Sequence, residues 1–547
     1  TVDRLLASPE FGERWSRMWL DLVRYVDETP NYLSSAERAW IYRDWVIRAF
    51  NEDLPYNEFV RRQLAADQME ELPPADLAAL GLLGLSPTFW KELKLSPMVI
   101  SNIVADEWDE RIDTVSRTFL GLSVACARCH HHKFDPISID DYYAIAGVIA
   151  SSQIAERPLM EPVAAKIVQD ARRQITAWQT DLKRFPQETS AVAAILRAKI
   201  ETVQTETPRY HEPWAHVVED SVLDVLPLGE DETKLEYHSG RSRDLPVYRR
   251  GNLADPGDIV PRRFLTVLSP GLPRLLQHGS GRIDLADALV TEAAPLTARV
   301  IVNRLWSQVF GQGLVATPSD FGRQGDRPTH PALMDYLAAK LIEDNWSMKR
   351  LIREMVLSAT FQQDSLGSPA SWERDPAAQS LSRMPRRRLD IEQWRDSLLA
   401  LTDKLDRRMY GVAEALDQPQ FVRRTLYGRV VREELNAMLR LYDFPEASGH
   451  CPNRSPTTTP LQQLFVLNSP QMLQWSAGLP MPKDNSTAQV CVDAAYRRLF
   501  QRDPTHTERN RGAMFLQRVS GDKTVAPSAW EAYLQVLLGS NELMFVD

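Results

Sequence analysis

Apolar positions recur at three- and four-residue spacing along most of the chain, the period of a helix with one buried face. Arg4 to Leu6, then Trp15, Trp19, Leu22 and Val23, predict a helical start. Trp40 to Phe50 and Tyr56 to Leu64 predict two more helices, with Asn51 to Pro55 as the break between them. Ile112 to Val124 is a further apolar-periodic run, and Asp141 to Ile149 another. From Pro162 to Thr205 the sequence turns polar but stays helix-favouring, with an interruption at Phe185-Pro186-Gln187. This predicts a helical hairpin standing off the core.

Between Ser221 and Pro261 the pattern changes. Gly, Pro and Asp alternate with short β-type runs such as Pro246-Val247-Tyr248, which predicts loops and a few strands. Helical periodicity resumes near Phe264. It predicts helices at Leu296 to Phe310, Pro331 to Asn345, Lys349 to Ser358, Ile391 to Leu405 and Thr457 to Leu473. The reading is a mainly α protein: a helical domain over 1–160, a hairpin or spacer over 161–220, a loop-rich joint over 221–263 and a second helical domain over 264–547.

Composition narrows the classes. With 44% hydrophobic and 25% charged residues in 547, the chain has the make-up of a globular protein. A net charge of -9 argues against general nucleic-acid binding. No apolar run is long enough to span a membrane. The chain opens at Thr1 directly into a helical pattern, without a signal peptide, as a processed or trimmed protein would.

Only four cysteines are present, too few for a disulfide-built scaffold. Two of them stand in Cys126-Ala127-Arg128-Cys129-His130. In a C-x-x-C-H motif the thiols can add to the vinyl groups of a haem, and the adjacent imidazole can ligate its iron. Cys126 and Cys129 would tether a haem c and His130 would be the iron ligand. A zinc site using both thiols and one of His130 to His132, His132 included, is the second chemistry the residues allow. A structural or redox pair without a cofactor is the third. The opposite iron face has several remote candidates: His211, His330, His450 and Met98. An open, five-coordinate iron is the other option. Cys451 and Cys491 could be bridged or free.

The second half carries a polar constellation: Arg304, Asp320, Arg388, Glu392, Arg395, Asp396, Arg454, Gln462 and Asn468. The spacing of Arg388, Glu392, Arg395 and Asp396 would let them share a helix face. They could form a buried ionic network that fixes helix packing. They could instead line a pocket for a substrate or for haem propionates, since arginine forks suit carboxylates. There is no dinucleotide or phosphate-loop fingerprint, no G-x-S-x-G and no H-E-x-x-H.

The stretch Phe119-Leu120-Gly121-Leu122-Ser123-Val124-Ala125 up to the motif, then His132-Lys133-Phe134-Asp135-Pro136-Ile137 and Asp141-Tyr142-Tyr143, resembles the first of two paired domains of unknown function. These occur in large exported proteins of planctomycetes and related bacteria. Trp19-Leu20-Asp21-Leu22-Val23-Arg24-Tyr25 and Gln63 to Asp67 are similar to the same domain. Leu296 to Arg299, Asn303-Arg304-Leu305-Trp306, Phe310 to Val315, Asp320-Phe321-Gly322, Arg387-Arg388-Leu389, Arg395-Asp396, Thr457 to Gln462 and Leu467-Asn468-Ser469 resemble the second.

The resemblance implies export, haem attachment and an association with polysaccharide breakdown. On that basis a redox partner protein or a carbohydrate is the expected partner, for an electron-transfer or oxidoreductase role. The alternative is a cell-surface binding or structural protein, in which the motif is a metal staple or packing element. The chain departs from the family pattern in three ways. The separate cytochrome domain that commonly precedes the pair is missing, His131 stands where an acidic residue is frequent, and the joint leaves little room for a β-sandwich.

Overall fold

The computed structural model describes residues 1–29, 38–183, 191–229, 232–482, 486–521 and 524–546. Helix makes up about 52% of the chain, so the mainly α expectation holds. The interruption expected at Phe185-Pro186-Gln187 lies outside the described residues.

Helix Glu10–Leu22 buries Phe11, Met18, Trp19 and Leu22 on one stripe, against helix Trp40–Asn51. Trp19 sits edge-on to Phe59 of helix Tyr56–Ala65 at 4.8 Å between ring centres, the favoured geometry for aromatic pairs. Its indole N–H donates to Tyr42 Oη at 2.9 Å, and that hydroxyl donates to Gln63 Oε1 at 2.8 Å. The indole and the Tyr42 hydroxyl are thereby satisfied within the core, while the buried Tyr56 hydroxyl beside them has no partner.

The long helix Pro97–Val115 does not run on to Val124. Its last turn widens into a π-helical segment, Ser116–Leu120, and Gly121 then takes a left-handed φ of 60°. A side chain on Gly121 would be strained by that φ and would strike the Phe321 ring at 2.8 Å. The turn is thus packed against Phe321 from the second half of the chain.

Strand β1 (Ser152–Pro158) pairs with the first part of β2 (Trp214–Pro227), whose second part pairs with β3 (Thr233–Ser239); all are antiparallel. A separate ribbon joins β4 (Leu245–Tyr248) to β5 (Pro256–Val260). The region around 221–263 is therefore more regular than a loop-rich joint, because one 14-residue strand links both neighbours. Helices Pro162–Leu182 and Ala191–Glu206 are inserted between β1 and β2. They rest on a small cluster of Met160, Val168 and Trp214, apart from the main core.

In the second half, helix Arg282–Val290 packs on Tyr56–Ala65 of the first, and Ala294–Phe310 runs through the centre. Three predicted helices end differently. Ile391–Leu401 stops at Thr402, before Asp403 turns left-handed at φ 55°. Pro331–Glu343 stops ahead of left-handed Asn345. The run from Thr457 divides into Pro460–Asn468 and Pro470–Ala477, because Pro470 cannot donate into a continuing helix and Ser469 caps the new one.

One hydrophobic cluster extends from Phe11 to Met544 through both halves. Ties across it include Arg282, which donates to Asp67 Oδ2 and Asp220 Oδ1 at 2.7 Å each and to the Leu64 carbonyl at 2.9 Å. We expect one cooperative unfolding transition in calorimetry of the full chain. Residues 1–160 and 264–547 made separately should each show exposed apolar surface and no sharp transition. Two resolved transitions, or two well-folded fragments, would contradict a shared core.

Candidate functional site

The motif begins on a single 3-10 turn, Val124–Ala127. Arg128 anchors it: the guanidinium reaches Asp106 on helix Pro97–Val115 at 2.7 Å, and the carbonyl accepts from Tyr143 Oη at 3.1 Å. With its middle residue held inward, the motif turns Cys126, Cys129 and His130 outward, and all three are exposed. Both thiols are free. Cys129 Sγ lies beside Gly251, where a Cβ would come within 2.9 Å.

His130 Nδ1 lies 2.6 Å from the His131 carbonyl oxygen. A carbonyl only accepts, so Nδ1 carries the proton and Nε2 keeps its lone pair. This is the tautomer a metal-ligating imidazole uses. His132 is different. Its Nδ1 accepts from the amides of Phe134 at 3.3 Å and Asp135 at 2.8 Å, and its Nε2 lies 3.1 Å from Ser123 Oγ. Both nitrogens are occupied in the loop, so His132 is a brace for the turn rather than a ligand. The 3.6 Å approach of Asp135 to His132 Nδ1 is not an ion pair, because that nitrogen is accepting.

The loop after the motif then docks on the second half. Asp135 Oδ1 accepts from the Arg323 amide at 2.7 Å, and Phe321 N–H donates to the Gly121 carbonyl at 2.7 Å. Gly322 has no room for a side chain: a Cβ would stand 2.3 Å from Asp135 Oδ2. Asp320 shapes this turn by accepting from the Gly322 amide at 3.0 Å. Arg304 completes the contact. Fully buried, it donates to the carbonyls of Thr118 and, at 2.8 Å, Arg117, two acceptors released where the helix widens. Burial lowers the Arg304 guanidinium to about 10.

The polar constellation is thus divided. Arg304 and Asp320 serve the motif loop. Arg395 is a carbonyl clamp, donating to Phe421 O at 2.6 Å and Arg423 O at 3.0 Å. Asp396 accepts from the amide and hydroxyl of Thr425 at 2.8 and 2.7 Å, and burial raises its carboxyl to about 6. Gln462 caps its helix and holds the Leu441 carbonyl, and Asn468 bonds back to Leu464. Arg388 is not on the helix face with Glu392. It lies in a short extended pairing with Phe545 before the helix begins, because Asp390 caps that helix.

Arg454 joins the halves. It grips Glu392 through two bonds of 2.7 and 2.8 Å and Asp21 at 2.8 Å, while Arg17 bonds Asp21 at 2.6 Å. Burial alone would raise the Glu392 carboxyl, but Arg454 outweighs it and holds the group down at about 2. Arg388 and Arg454 line a cavity of about 250 Å³. Glu392 and Asp396 open on a second one of about 370 Å³, shared with Glu10 and Glu13. The first cavity also contains residues outside the polar constellation: Arg14, Arg386, Arg387, Tyr442 and Cys451. The run of three arginines was the available signal.

Of the remote iron-ligand candidates, His450 is committed elsewhere. Its Nδ1 donates to the Leu22 carbonyl at 2.9 Å, and its Nε2 accepts from Ser319 at 2.6 Å. Met98 is exposed. Cys451 and Cys491 are not bridged.

Residues 1–154 match a family model described as PSCyt2, protein of unknown function (DUF1549), and residues 281–516 match one described as PSD1, protein of unknown function (DUF1553). The chain is therefore similar to a pair of domains of unknown function, and the docked motif loop and Asp320 turn come one from each. No curated protein and no solved structure matches the chain.

Burial, then the nearby Arg304, lowers the His450 imidazole to about 3. A histidine depressed in the folded state contributes stability that is complete above the unfolded value near 6.5 and is lost as pH falls toward 3. Asp396, raised to about 6, acts oppositely: its destabilising effect fades as pH drops below 6. His450→Gln should therefore be less stable than the parent at pH 7 by about 1–2 kcal/mol. The gap should narrow between pH 6.5 and 4 in urea unfolding. Parallel pH profiles for the two proteins would contradict the assignment.

Proposed function

We propose that the protein is an exported c-type haem protein serving electron transfer or an oxidoreductase reaction, with Cys126 and Cys129 as the tethers and His130 as the iron ligand. The observation that carries this reading is the state of the three groups: two free, exposed thiols, and an exposed imidazole whose Nδ1 is fixed by a backbone carbonyl. These residues fit the chemistry of the group. Haem attachment requires accessible thiols and one neutral imidazole nitrogen, and it supplies a one-electron centre when bound.

The chain's own contribution is positioning. Arg128, held by Asp106 and Tyr143, fixes the turn between the thiols. His132 and Asp135 fix the loop behind His130 and seat it on the second half. A tetrahedral zinc site would need four converging donors. Among the described residues, no three His, Cys, Asp or Glu side chains form such a group. Haem asks the protein for a single ligand on this side. Attachment of haem c takes place outside the cytoplasm, which is the basis for placing the protein in the periplasm or at the cell surface. A redox protein or a carbohydrate is the partner class that this reading inherits from the family resemblance.

The test is expression of the full chain with a secretion signal, together with the c-type maturation machinery. The product should carry covalent haem by mass spectrometry and give a haemochrome spectrum. Cys126→Ser with Cys129→Ser should abolish the tether. His130→Ala should keep it while changing the iron's spectrum. His132→Ala should leave the spectrum unchanged and lower stability by roughly 1 kcal/mol, the value of its loop hydrogen bonds. A matured, exported protein with no covalent haem would sink the proposal. Bound zinc in its place would support the metal-staple alternative.

A further inference from the structure

A haem held at Cys126, Cys129 and His130 needs more than its tether. The two thiols grip one edge and the imidazole one iron position, and all three groups are exposed. The ring itself is a broad apolar disc, and it leaves water only where apolar surface lies beside the tether.

Such surface adjoins the motif through helix Pro97–Val115. Phe89, Trp90, Met98 and Val99 are exposed by 43, 66, 44 and 43%. Single exposed apolar residues are ordinary, but a group of them marks a binding surface. The segment that carries Trp90 is held in place. Phe89 N–H donates to Glu107 Oε1 at 2.8 Å, and the Lys91 ammonium pairs with the same oxygen. Both neighbours of Trp90 are thereby pinned to a buried carboxylate, while the indole stands two-thirds in water.

Glu107 follows Asp106, and Asp106 holds Arg128 at 2.7 Å, between the two cysteines. Adjacent residues of one helix thus fix the motif and the Trp90 segment. From Glu107 the chain between Phe89 and Ser96 runs back along the helix to its start at Pro97, a distance of about 15 Å. Val99 lies on the same helix face as Asp106, two turns nearer that start and about 10 Å along the axis. An exposed apolar strip therefore begins beside the anchor of the motif and continues over the breadth of a porphyrin.

We propose that the segment from Phe89 to Val99 is the bed on which the tethered haem lies, with Trp90 and Val99 against the ring and Phe89 and Met98 extending the apolar surface. The inference rests on the haem reading of the motif. These residues act by contact and by excluding water, and His130 remains the iron ligand. Because Glu107 restrains the segment beforehand, little ordering is left to be done when the ring arrives.

The experiment compares the exported, matured full chain carrying covalent haem with its haem-free Cys126→Ser, Cys129→Ser form. Hydrogen exchange read by mass spectrometry over residues 86–99 should slow by about tenfold or more in the haem-loaded protein. Trp90→Gln and Val99→Gln should keep the covalent haem by mass and leave the Tm of the haem-free form unchanged, since both side chains are exposed. Each should lower the haem's midpoint potential, because ferric iron carries the additional charge and gains most from water. Trp90→Phe should restore the parent value. Met514→Gln, at a site 69% exposed on helix His506–Ser520, should leave the potential unaltered.

Covalent haem with unchanged exchange over 86–99, or with Trp90→Gln and Val99→Gln both at the parent potential, overturns the bed and leaves the haem reading standing. A marked fall in the haem-free Tm on either substitution overturns it too, by assigning those side chains to the fold. Protection that appears only when a second protein is added gives the surface to a partner and overturns it likewise. A matured protein without covalent haem overturns both readings.

Discussion

A guanidinium cannot be left alone in a protein interior, and this fold is organised around several that are buried there. Each must find carbonyls or carboxylates, and the sequence places many of those on the other half of the chain. Arg304 takes carbonyls from the end of helix Pro97–Val115. Arg282 takes Asp67 and the Leu64 carbonyl. Arg454 takes Asp21 as well as Glu392, and Arg432 reaches the Arg24 carbonyl. Hydrophobic burial supplies the driving force, but these directional bonds fix how the halves are rotated against each other. A slip at the interface would strand a buried cation.

The motif loop inherits its shape from that interface. Arg304 satisfies the carbonyls freed where the helix widens, and Phe321 fills the space left by Gly121. Asp135 closes on a glycine that has no room for any other residue. The exposed face of the loop, with its two thiols and one imidazole, is then held from behind by parts of both domains. This gives a physical reason for the two domains to occur together: the second supplies the support on which the first presents its reactive groups.

The same interface creates the arginine-lined cavity. Where partners are complete, as for Arg17 and Arg454, the charges lock helices together. Arg387, by contrast, donates to the Gln308 carbonyl and leaves its buried Nε without a partner.

The sequence by itself determined the helical class, the cysteine motif and, to within a few residues, helices such as Trp40–Asn51, Tyr56–Ala65, Ala294–Phe310 and Met348–Leu357, but not those from Ala488 onward. These follow from local period, capping residues and spacing, which act over one or two turns. It also marked the polar residues of the second half, yet their grouping was not legible. Arg388 and Glu392 look like helical neighbours, but an N-cap at Asp390 separates them. Arg304 and Arg454 look alike in sequence, but one serves the motif loop and the other a cavity. The helical run from Pro97 does not reach Val124, because its last turn widens and Gly121 ends it in a left-handed conformation against Phe321. Which histidine is free and which is committed was decided only by tertiary hydrogen bonds. His130 keeps a nitrogen open, while His132 and His450 have none left. Local rules act along the chain, whereas the partner of a buried polar group is chosen across it.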